Sequence, residues 1–424
     1  MPATIWYAKG KEIKESIKYK YDRSGNISEV IENGHLKTKY TYDSLNRLIR
    51  EDNKYCGTTF VFSYDQNGNI TERCEYPYTL KRGEELEELE CTHYTYDYEG
   101  DKLKAYNNET FAYNALGNPT MYRGKAVSWL YGKLLANYNG VTFSYNGAGQ
   151  RVSKGNITFT YDSEGKLLKQ SNGLEFIYDA SGVAGVLYNG GKYFYRKDAQ
   201  GNVVALLNSD GEIAVRYEYD AWGNNVVTDK DGNPVTSGIG VLNPFRYRSY
   251  YYDTETELYY LQTRYYDPEL GRFISQDSIE YAAPETINGL NLYAYCGNNP
   301  VMNVDPTGEF FLTFLLVCLG VGLVAGATIG GISAAVKEEN VWDGIWKGAL
   351  VGLMIGGSIA AIGAGVGFFA AGSIGASMAI TAGVGSMFAI STGLAEQLQN
   401  GGFGSLNIKS IGASWGIGLF VGAL

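Results

Sequence analysis

The chain contains little histidine, cysteine or proline, and it has no excess of positive charge. Of its 424 residues, 2 are His, 5 are Cys and 9 are Pro, and the formal net charge is −10. His35 and His93 are far apart in the sequence, so we predict no histidine-based metal site, no Ser/His/Asp triad and no cofactor. Nucleic-acid-binding domains normally carry a basic face. Because no Lys/Arg run stands out, we expect neither DNA nor RNA as a direct partner.

The five cysteines are widely spaced and odd in number, and no Cys-x-x-Cys pair occurs. They are Cys56, Cys74, Cys91, Cys296 and Cys318. This pattern argues against a zinc ribbon and against a dense disulfide framework. We interpret them as scattered small hydrophobic residues. The first 16 residues lack the apolar segment of a signal peptide, and repeats start near Tyr19, so we expect the C-terminal portion of a longer protein.

Tyrosine is abundant, with 36 residues, and it recurs in a repeated motif. The unit is aromatic-x-Tyr followed by Asp or Asn, and then by a turn containing glycine. Copies of the motif begin at Tyr19, Tyr40, Phe62, Tyr94, Phe111, Phe143, Phe159, Phe176 and Tyr217, with a looser copy at Tyr193. Aromatic residues two positions apart share one face of a strand. Asp or Asn starts a turn, glycine supplies a positive φ, and a second strand returns. Each unit therefore predicts a β-hairpin.

A single hairpin is marginally stable in water, so we predict that the units stack side by side with cross-strand ring contacts. The array spans residues 1–226. The acidic run Leu80–Glu90 interrupts it and is interpreted as an inserted solvated hairpin or short helix. A turn-rich linker, 227–242, follows. The tyrosines could instead form a glycan-binding platform, although packing within the array is the favoured interpretation.

Residues 243–309 form a dense aromatic block that opens with Asn243-Pro-Phe-Arg-Tyr247. We predict strands near Tyr250–Asp253, Leu258–Leu261 and Thr263–Pro268. Four arginines lie among Tyr and Asp residues, where guanidinium groups can stack on rings and bridge carboxylates. They are Arg246, Arg248, Arg264 and Arg272. We interpret the block as a closely packed plug.

The aromatic-x-Tyr-Asp motif with its glycine turn resembles the YD repeat of RHS proteins, of the C components of insecticidal toxin complexes, and of teneurins. The block from Asn243 to Gly308 resembles the RHS-associated core. The resemblance covers residues 1 to about 309. It implies a mainly β fold in which hairpins spiral into part of a hollow shell, closed by the core block.

The resemblance also implies one site of chemistry, at the end of the core block. Proteins of this type cleave themselves just after an Asp-Pro-x-Gly-Leu motif, using carboxylates arranged as in an aspartic protease. This chain has Asp305-Pro306-Thr307-Gly308, followed by Glu309 in place of Leu. We take Asp305 and the nearest upstream aspartate, Asp277, as the candidate catalytic pair, with Glu280 and Glu285 as other nearby acids. The motif also predicts a tight turn.

The composition changes abruptly at Phe310. Residues 310–336 carry no charge and exceed the ~20 residues that span a bilayer, and residues 348–395 are again uncharged. Glycines recur at four-residue spacing, as at Gly322, Gly326 and Gly330, which favours close helix packing. For residues 310–424 we predict glycine-zipper helices that insert into a membrane, or an apolar segment stored inside the shell.

The resemblance to RHS proteins, taken with the uncharged tail, implies a non-enzymatic shell and delivery segment of an RHS-type polymorphic toxin used in competition between cells. Its expected partners are its own C-terminal segment, a membrane contacted by residues 310–424, and an immunity protein. The expected location is secreted or at the cell surface. Two alternatives stay open at this point: a cell-wall glycan-binding module, and a shell whose only reaction is autoproteolysis near Asp305.

Overall fold

The computed structural model describes residues 4–9, 12–81, 87–97, 101–180, 182–277 and 291–308. These residues all belong to one compact unit, Met1–Ala282 together with Asn291–Glu309. Glu280, Glu285, Glu309 and the helices predicted for residues 310–424 lie outside the described residues. Within the described part of the chain, no helix is long and apolar enough to cross a membrane.

The repeat array forms two antiparallel sheets in which every strand pairs with its neighbours in sequence. The first sheet contains β1 (Thr4–Lys9), β2 (Glu12–Tyr21), β3 (Ile27–Glu32), β4 (His35–Tyr42), β5 (Leu48–Asn53), β6 (Thr58–Tyr64), β7 (Ile70–Pro77), β8 (Glu90–Tyr96), β9 (Leu103–Tyr106) and β10 (Glu109–Thr110). The predicted succession of hairpins is therefore confirmed for this part of the chain.

The second sheet continues the same meander. It contains β11 (Ala112–Tyr113), β12 (Pro119–Tyr122), β13 (Lys125–Leu130), β14 (Leu134–Tyr138), β15 (Val141–Tyr145), β16 (Arg151–Lys154), β17 (Ile157–Tyr161), β18 (Leu167–Gln170), β19 (Glu175–Asp179), β20 (Gly182–Tyr188), β21 (Gly191–Lys197), β22 (Val203–Leu207), β23 (Ile213–Tyr219) and β24 (Asn225–Thr228). A one-turn helix, α1 (Ile239–Leu242), ends the linker.

In several hairpins an aspartate builds the turn through its side chain. At Asp65, Oδ1 accepts hydrogen bonds from the backbone N–H of Asn67 (2.9 Å) and Asn69 (2.8 Å), and Oδ2 accepts one from Asn69 Nδ2 (3.0 Å). Gly68 then adopts a φ of 77°. The same arrangement recurs at Asp22, Asp198, Asp220 and Asp229. This side-chain capping explains why the motif requires Asp or Asn after the tyrosine.

A β-bulge lies on the returning strand opposite the motif tyrosine in most repeats, a feature that the alternating pattern does not predict. In the hairpin of β6 and β7, the register shifts between Ser63 and Tyr64. The same shift falls before Tyr21, Tyr42, Tyr96, Tyr113, Tyr145, Tyr161 and Tyr178. In β6 and β7 the extra residue is Thr71 on the returning strand, and a bulge bends the strand that carries it.

In several repeats the motif tyrosine is hydrogen-bonded to the repeat before it. The Tyr42 hydroxyl donates to the Ile27 carbonyl (2.7 Å), and the Tyr96 hydroxyl donates to the Ile70 carbonyl (2.8 Å). Equivalent bonds are made by Tyr64, Tyr161, Tyr178 and Tyr219. The expected ring pairs between neighbouring strands do occur, as between Tyr94 and Tyr106 (5.1 Å). The described motif tyrosines therefore act in packing and in bonding between repeats.

The core block packs against the inner aromatic residues of the array. Its small sheet consists of β25 (Tyr251–Asp253), β26 (Leu258–Tyr260), β27 (Tyr265–Asp267) and β28 (Arg272–Phe273). The three predicted strands are confirmed, and β28 is an addition. The first aromatic of several motifs meets a ring of this block, in the pairs Phe143–Tyr265 (5.7 Å), Phe159–Tyr251 (5.8 Å) and Phe176–Phe245 (4.9 Å).

The four arginines of the core block are buried among aromatic rings, as predicted. The guanidinium of Arg246 lies 4.6 Å from the Tyr252 ring centre, and that of Arg272 lies 4.8 Å from the ring centre of Tyr293. Arg248 donates from Nη2 to the Val301 carbonyl at 3.0 Å. The contact of Arg248 with Val301 joins the beginning of the block to its end.

Two of the cysteines are not independent small hydrophobic residues. Cys74 on β7 and Cys91 on β8 are directly opposed and form a disulfide. The interpretation of all five cysteines as scattered residues is therefore wrong for this pair. The two cysteines are 17 positions apart in the sequence, with the acidic run between them, and the pairing of β7 with β8 brings them together. Cys56 is half-buried and Cys296 is buried, and both are free.

Candidate functional site

The end of the core block is organised around Arg264, which lies between β26 and β27. Its Nε donates to the Gly308 carbonyl at 2.6 Å and its Nη1 donates to the Leu292 carbonyl at 3.0 Å. The guanidinium stacks 3.6 Å from the ring centre of Phe273. Arg264 is 6% exposed, so these contacts are made in an environment that excludes water. A guanidinium presents several donors in a fixed plane, which suits this convergence of acceptors.

The two aspartates predicted as a catalytic pair meet at this guanidinium. Arg264 Nη2 lies 2.7 Å from Asp277 Oδ2 and 3.6 Å from Asp305 Oδ2. Asp305 is fully buried, whereas the Asp277 side chain is 12% exposed. The structure therefore brings both predicted residues into one site, with a cation between them. Their catalytic role stays a prediction.

Asp305 also forms the turn that its motif predicts. Its Oδ1 accepts a hydrogen bond from the Gly308 N–H at 2.8 Å, and its own N–H donates to the Tyr250 hydroxyl at 2.9 Å.

Burial raises the pKa of the Cys296 thiol, and the negative charge of Asp305 raises it further. The thiol is thereby kept neutral, which argues against Cys296 as the nucleophile of this site.

Gly308 is held against the segment that enters β27. The Thr263 hydroxyl donates to the Thr307 carbonyl at 2.6 Å. Gly308 has a φ of 82°, and a Cβ at this position would lie 2.5 Å from Thr263 Oγ1 and 3.2 Å from the Arg264 backbone nitrogen. The motif therefore needs glycine here for two reasons, which are its positive φ and the close approach of the Thr263–Arg264 backbone.

Substituting Gly308 with alanine is expected to displace the Asp305–Gly308 turn and to lower the thermal midpoint of the shell. A left-handed conformation costs an L-residue about 1–2 kcal/mol, and the contact with Thr263 adds to that. Gly232→Ala is the matched control, because Gly232 has a φ of 88° and its added Cβ meets nothing within 4 Å. Differential scanning calorimetry of the full chain compares the two variants. Equal shifts would show that the contact with Thr263 contributes nothing.

The arrangement can anchor the chain and can position carboxylates. Two carbonyls of the motif, at Thr307 and Gly308, are fixed by Thr263 and Arg264, while Asp277 and Asp305 lie beside them. The segment that leaves Gly308 therefore starts from a rigid, buried point. Pro306 lies half-buried in the turn, and Glu309 lies outside the described residues. Sequence reasoning did not assign Arg264 or Thr263 to the site, because only the fold brings them to Gly308.

The sequence matches the teneurin YD-shell family model over residues 4–301. This match covers more than half of the chain, and it agrees with the hairpin array and the aromatic core. The chain belongs to the teneurin YD-shell family. It is thus an RHS/YD-repeat protein, and the predicted resemblance is confirmed.

Several curated proteins are similar to this YD-shell chain over most of its described part. The tRNA3(Ser)-specific nuclease WapA of Bacillus spizizenii is 32% identical over 69% of this chain, which covers 11% of that protein. The tRNA nuclease WapA of Bacillus subtilis is 31% identical over 69% of this chain, again covering 11% of that protein. The double-stranded DNA deaminase toxin A of Burkholderia cenocepacia is 25% identical over 68% of this chain and 22% of that protein. The YD-shell chain therefore spans only a small part of these relatives.

Solved structures agree with the YD-shell fold. The structure described as TcdB2-TccC3-Cdc42 superposes with a TM-score of 0.55 at 22% identity, covering 70% of this chain and 17% of that one. TcdB2-TccC3 gives a TM-score of 0.52 at 20% identity with the same coverage. At this identity the similarity concerns the fold alone.

Proposed function

We propose that this chain is the shell-forming part of an RHS-type polymorphic toxin, and that it encloses or presents a membrane-active segment starting at Phe310. The anchoring of Gly308 by Arg264 and Thr263 carries the proposal. The anchored Gly308 lies two residues before Phe310, where the uncharged glycine-rich sequence begins. Similarity to proteins named as nucleases and as a deaminase toxin supports a role beside a C-terminal effector.

The proposed roles of the shell and of the downstream segment follow from the different chemistry of the sequence before and after Gly308. Upstream, tyrosine hydroxyls bond neighbouring hairpins to each other, and aspartate side chains cap the turns. These features suit a structural shell more than a catalytic domain. Downstream, residues 310–336 carry no charge and exceed the length that spans a bilayer. The partners that we propose are this downstream segment, a target membrane and an immunity protein, for a protein that acts outside the producing cell. The glycan-binding alternative stays a prediction.

Vesicle leakage tests the membrane step. We expect the full chain, but not a chain ending at Glu309, to release a dye from vesicles of phosphatidylethanolamine and phosphatidylglycerol. Both proteins contain the described shell, so the comparison isolates residues 310–424. Equal leakage by the two proteins, or no leakage by either, would contradict the proposed membrane activity.

A second proposed activity is hydrolysis of the peptide bond after Glu309, and the meeting of Asp277 and Asp305 at Arg264 is the observation that favours it. In an aspartic-type reaction, one carboxylate takes a proton from the attacking water and the other carboxyl group donates one to the leaving amine. The C–N bond breaks, leaving a carboxylate on Glu309 and a free amine on Phe310. Arg264 and Thr263 would position the preceding carbonyls.

Self-cleavage is expected to produce a fragment ending at Glu309 when the purified full chain is incubated, as seen by denaturing gel and intact mass. Asp305→Asn and Asp277→Asn should each abolish the fragment, because an amide neither accepts nor donates the required proton. Asp305→Asn keeps an oxygen that can accept the Gly308 N–H bond. Asp231→Asn, at an exposed turn, is the control. A full-length band that persists, or cleavage that survives both substitutions, would remove the activity.

A further inference from the structure

Three side chains that can bind a metal ion lie together at the paired strands β7 and β8, far in sequence from Arg264. Cys74 and Cys91 are opposed across the two strands, and the Glu88 carboxylate lies beside them. One ligand atom from each of the three lies within 4.8 Å of the other two. Both cysteines are half-buried and Glu88 is exposed, so solvent reaches the group. Neither the shell role nor the self-cleavage site uses these residues.

The pairing of the strands fixes this group independently of the disulfide. Glu72 is opposite His93, and Glu75 is opposite Glu90, so paired positions flank the two cysteines on both sides. His93 Nδ1 lies 3.4 Å from Glu72 Oε1, and the Leu89 N–H donates to the Glu75 carbonyl at 2.8 Å. Breaking the S–S bond therefore leaves both sulfur atoms beside each other, because the backbone on either side stays paired.

We propose that Cys74, Cys91 and Glu88 form a redox-gated binding site for a thiophilic divalent cation of the Zn²⁺ type. In the oxidised chain the disulfide occupies both sulfur atoms and the site is closed. In the reduced chain two thiolates and one carboxylate converge on one point. Two sulfur ligands and one oxygen ligand, with a fourth position for water, suit Zn²⁺, whose ligand atoms lie roughly 3–4 Å apart around the ion.

Opening the site requires reduction of the Cys74–Cys91 disulfide. A dithiol reductant opens the S–S bond by thiol–disulfide exchange and becomes a disulfide itself, leaving two protein thiols. A phosphine also reduces the S–S bond, with one water molecule. The phosphine is oxidised to its oxide by taking the oxygen of the water, and each sulfur atom takes one of the two protons. Binding of the cation then releases both thiol protons to the buffer. The disulfide would keep the metal site closed in an oxidising environment. In a reducing environment, where disulfides are not maintained, the site would open.

Cobalt binding by the full chain tests the site. The chain is purified in air, and one portion is reduced with a water-soluble phosphine under nitrogen. Each portion is titrated with Co²⁺, which gives a thiolate-to-metal charge-transfer absorption, and then with Zn²⁺, which should displace it. We expect one Co²⁺ per reduced chain and no absorption from the oxidised chain. Absorption of equal strength without reduction, or none after it, would overturn the proposal.

Variants assign the signal to these residues. The double variant Cys74→Ser with Cys91→Ser keeps the other three cysteines and should lose the absorption. Cys56→Ser, which removes a half-buried thiol elsewhere in the array, should keep it. Glu88→Gln leaves the disulfide intact, so its folding can be checked in the oxidised state. It should weaken Zn²⁺ affinity by about 10–100-fold or more, because losing even a residue that only orients a ligand costs about that much. Retention of the absorption by the double variant, or unchanged Zn²⁺ affinity in Glu88→Gln, would contradict the assignment.

Discussion

Replacing Arg151 with methionine is expected to lower the free energy of unfolding of the shell by about 3–5 kcal/mol. Arg151, on β16 of the array, is 1% exposed, and its Nη1 donates to Asp253 of the core block and to the Tyr265 hydroxyl. The substitution leaves the buried Asp253 carboxylate without its main partner. Urea unfolding of the full chain, followed by tryptophan fluorescence, measures the loss.

The aromatic surroundings of Arg151 add to the expected loss. Five rings face its guanidinium at 4.2–5.8 Å from their centres, and they belong to Phe143, Phe159, Tyr251, Tyr260 and Tyr265. Three of these rings come from the core block, so one side chain of the array holds the block in place. A methionine fills part of the volume but offers the rings no cation. Lys154 Nζ stays 3.1 Å from Asp253 Oδ1, which moves the expected value toward the lower end.

Lys169→Met on β18 is the matched control for Arg151→Met. It also removes a cation from an ion pair of the array, but Lys169 and its partner Glu175 are 3.6 Å apart and more than half exposed. Such surface pairs contribute about 0–1 kcal/mol. If the two substitutions had similar effects, the contact of Arg151 with the core block would not stabilise the shell.

Local motifs explain why the hairpins and the core strands could be predicted. The alternation in Phe62-Ser-Tyr64 predicts a strand, and Asp65 followed by Gly68 predicts its turn, because each signal depends on neighbours in the sequence. The bulge opposite Tyr64 and the hydroxyl bond from Tyr64 to the Leu48 carbonyl of the preceding repeat were not predicted. The pattern of a single unit does not contain that partner.

The candidate site shows the same division between local and long-range information. Asp305 and Gly308 were found from a short motif, and Asp277 was found as the nearest upstream aspartate. Arg264 was assigned only to general packing, although it contacts all three residues. The disulfide was missed for a related reason, since the acidic run between Cys74 and Cys91 hides the pairing of β7 with β8. Contacts between distant repeats depend on register, which composition and spacing do not specify.

Raising the pH from 5 to 9 is expected to destabilise the shell, and Glu51 is expected to be a principal cause. Glu51, on β5, is fully buried, and its carboxyl oxygens accept hydrogen bonds from Asn53 Nδ2 (2.8 Å) and from the Ala221 N–H (2.9 Å). Burial, followed by the negative charge of Asp220, raises the pKa of Glu51 to about 8. Arg73, whose Nη2 lies 3.9 Å from Asp220 Oδ2, opposes this shift.

The sign of this pH dependence follows from the proton on Glu51, which the folded chain retains to a higher pH than the unfolded chain does. The Glu51 carboxyl is neutral in the folded shell up to about pH 8, whereas in the unfolded chain it ionises near its ordinary value of 4.5. Its contribution to stability is therefore complete below pH 4.5 and is lost as the pH rises toward 8. One retained proton corresponds to a slope of about 1.4 kcal/mol per pH unit. Burial also raises the pKa of Asp267 to about 6, which adds to the slope below that pH.

Glu51→Gln isolates the contribution of Glu51, because glutamine resembles the neutral carboxyl and keeps an acceptor for Asn53 and Ala221. We expect the variant to match the unmodified chain near pH 5 and to exceed its stability at pH 9, as measured by urea unfolding across the pH range. Glu164→Gln, at an exposed turn, should leave the slope unchanged. An identical slope in Glu51→Gln and the unmodified chain would show that Glu51 is already ionised in the folded shell. Because Glu51 on the first sheet accepts a hydrogen bond from Ala221, just beyond β23 of the second sheet, this contact between the sheets is expected to weaken at alkaline pH.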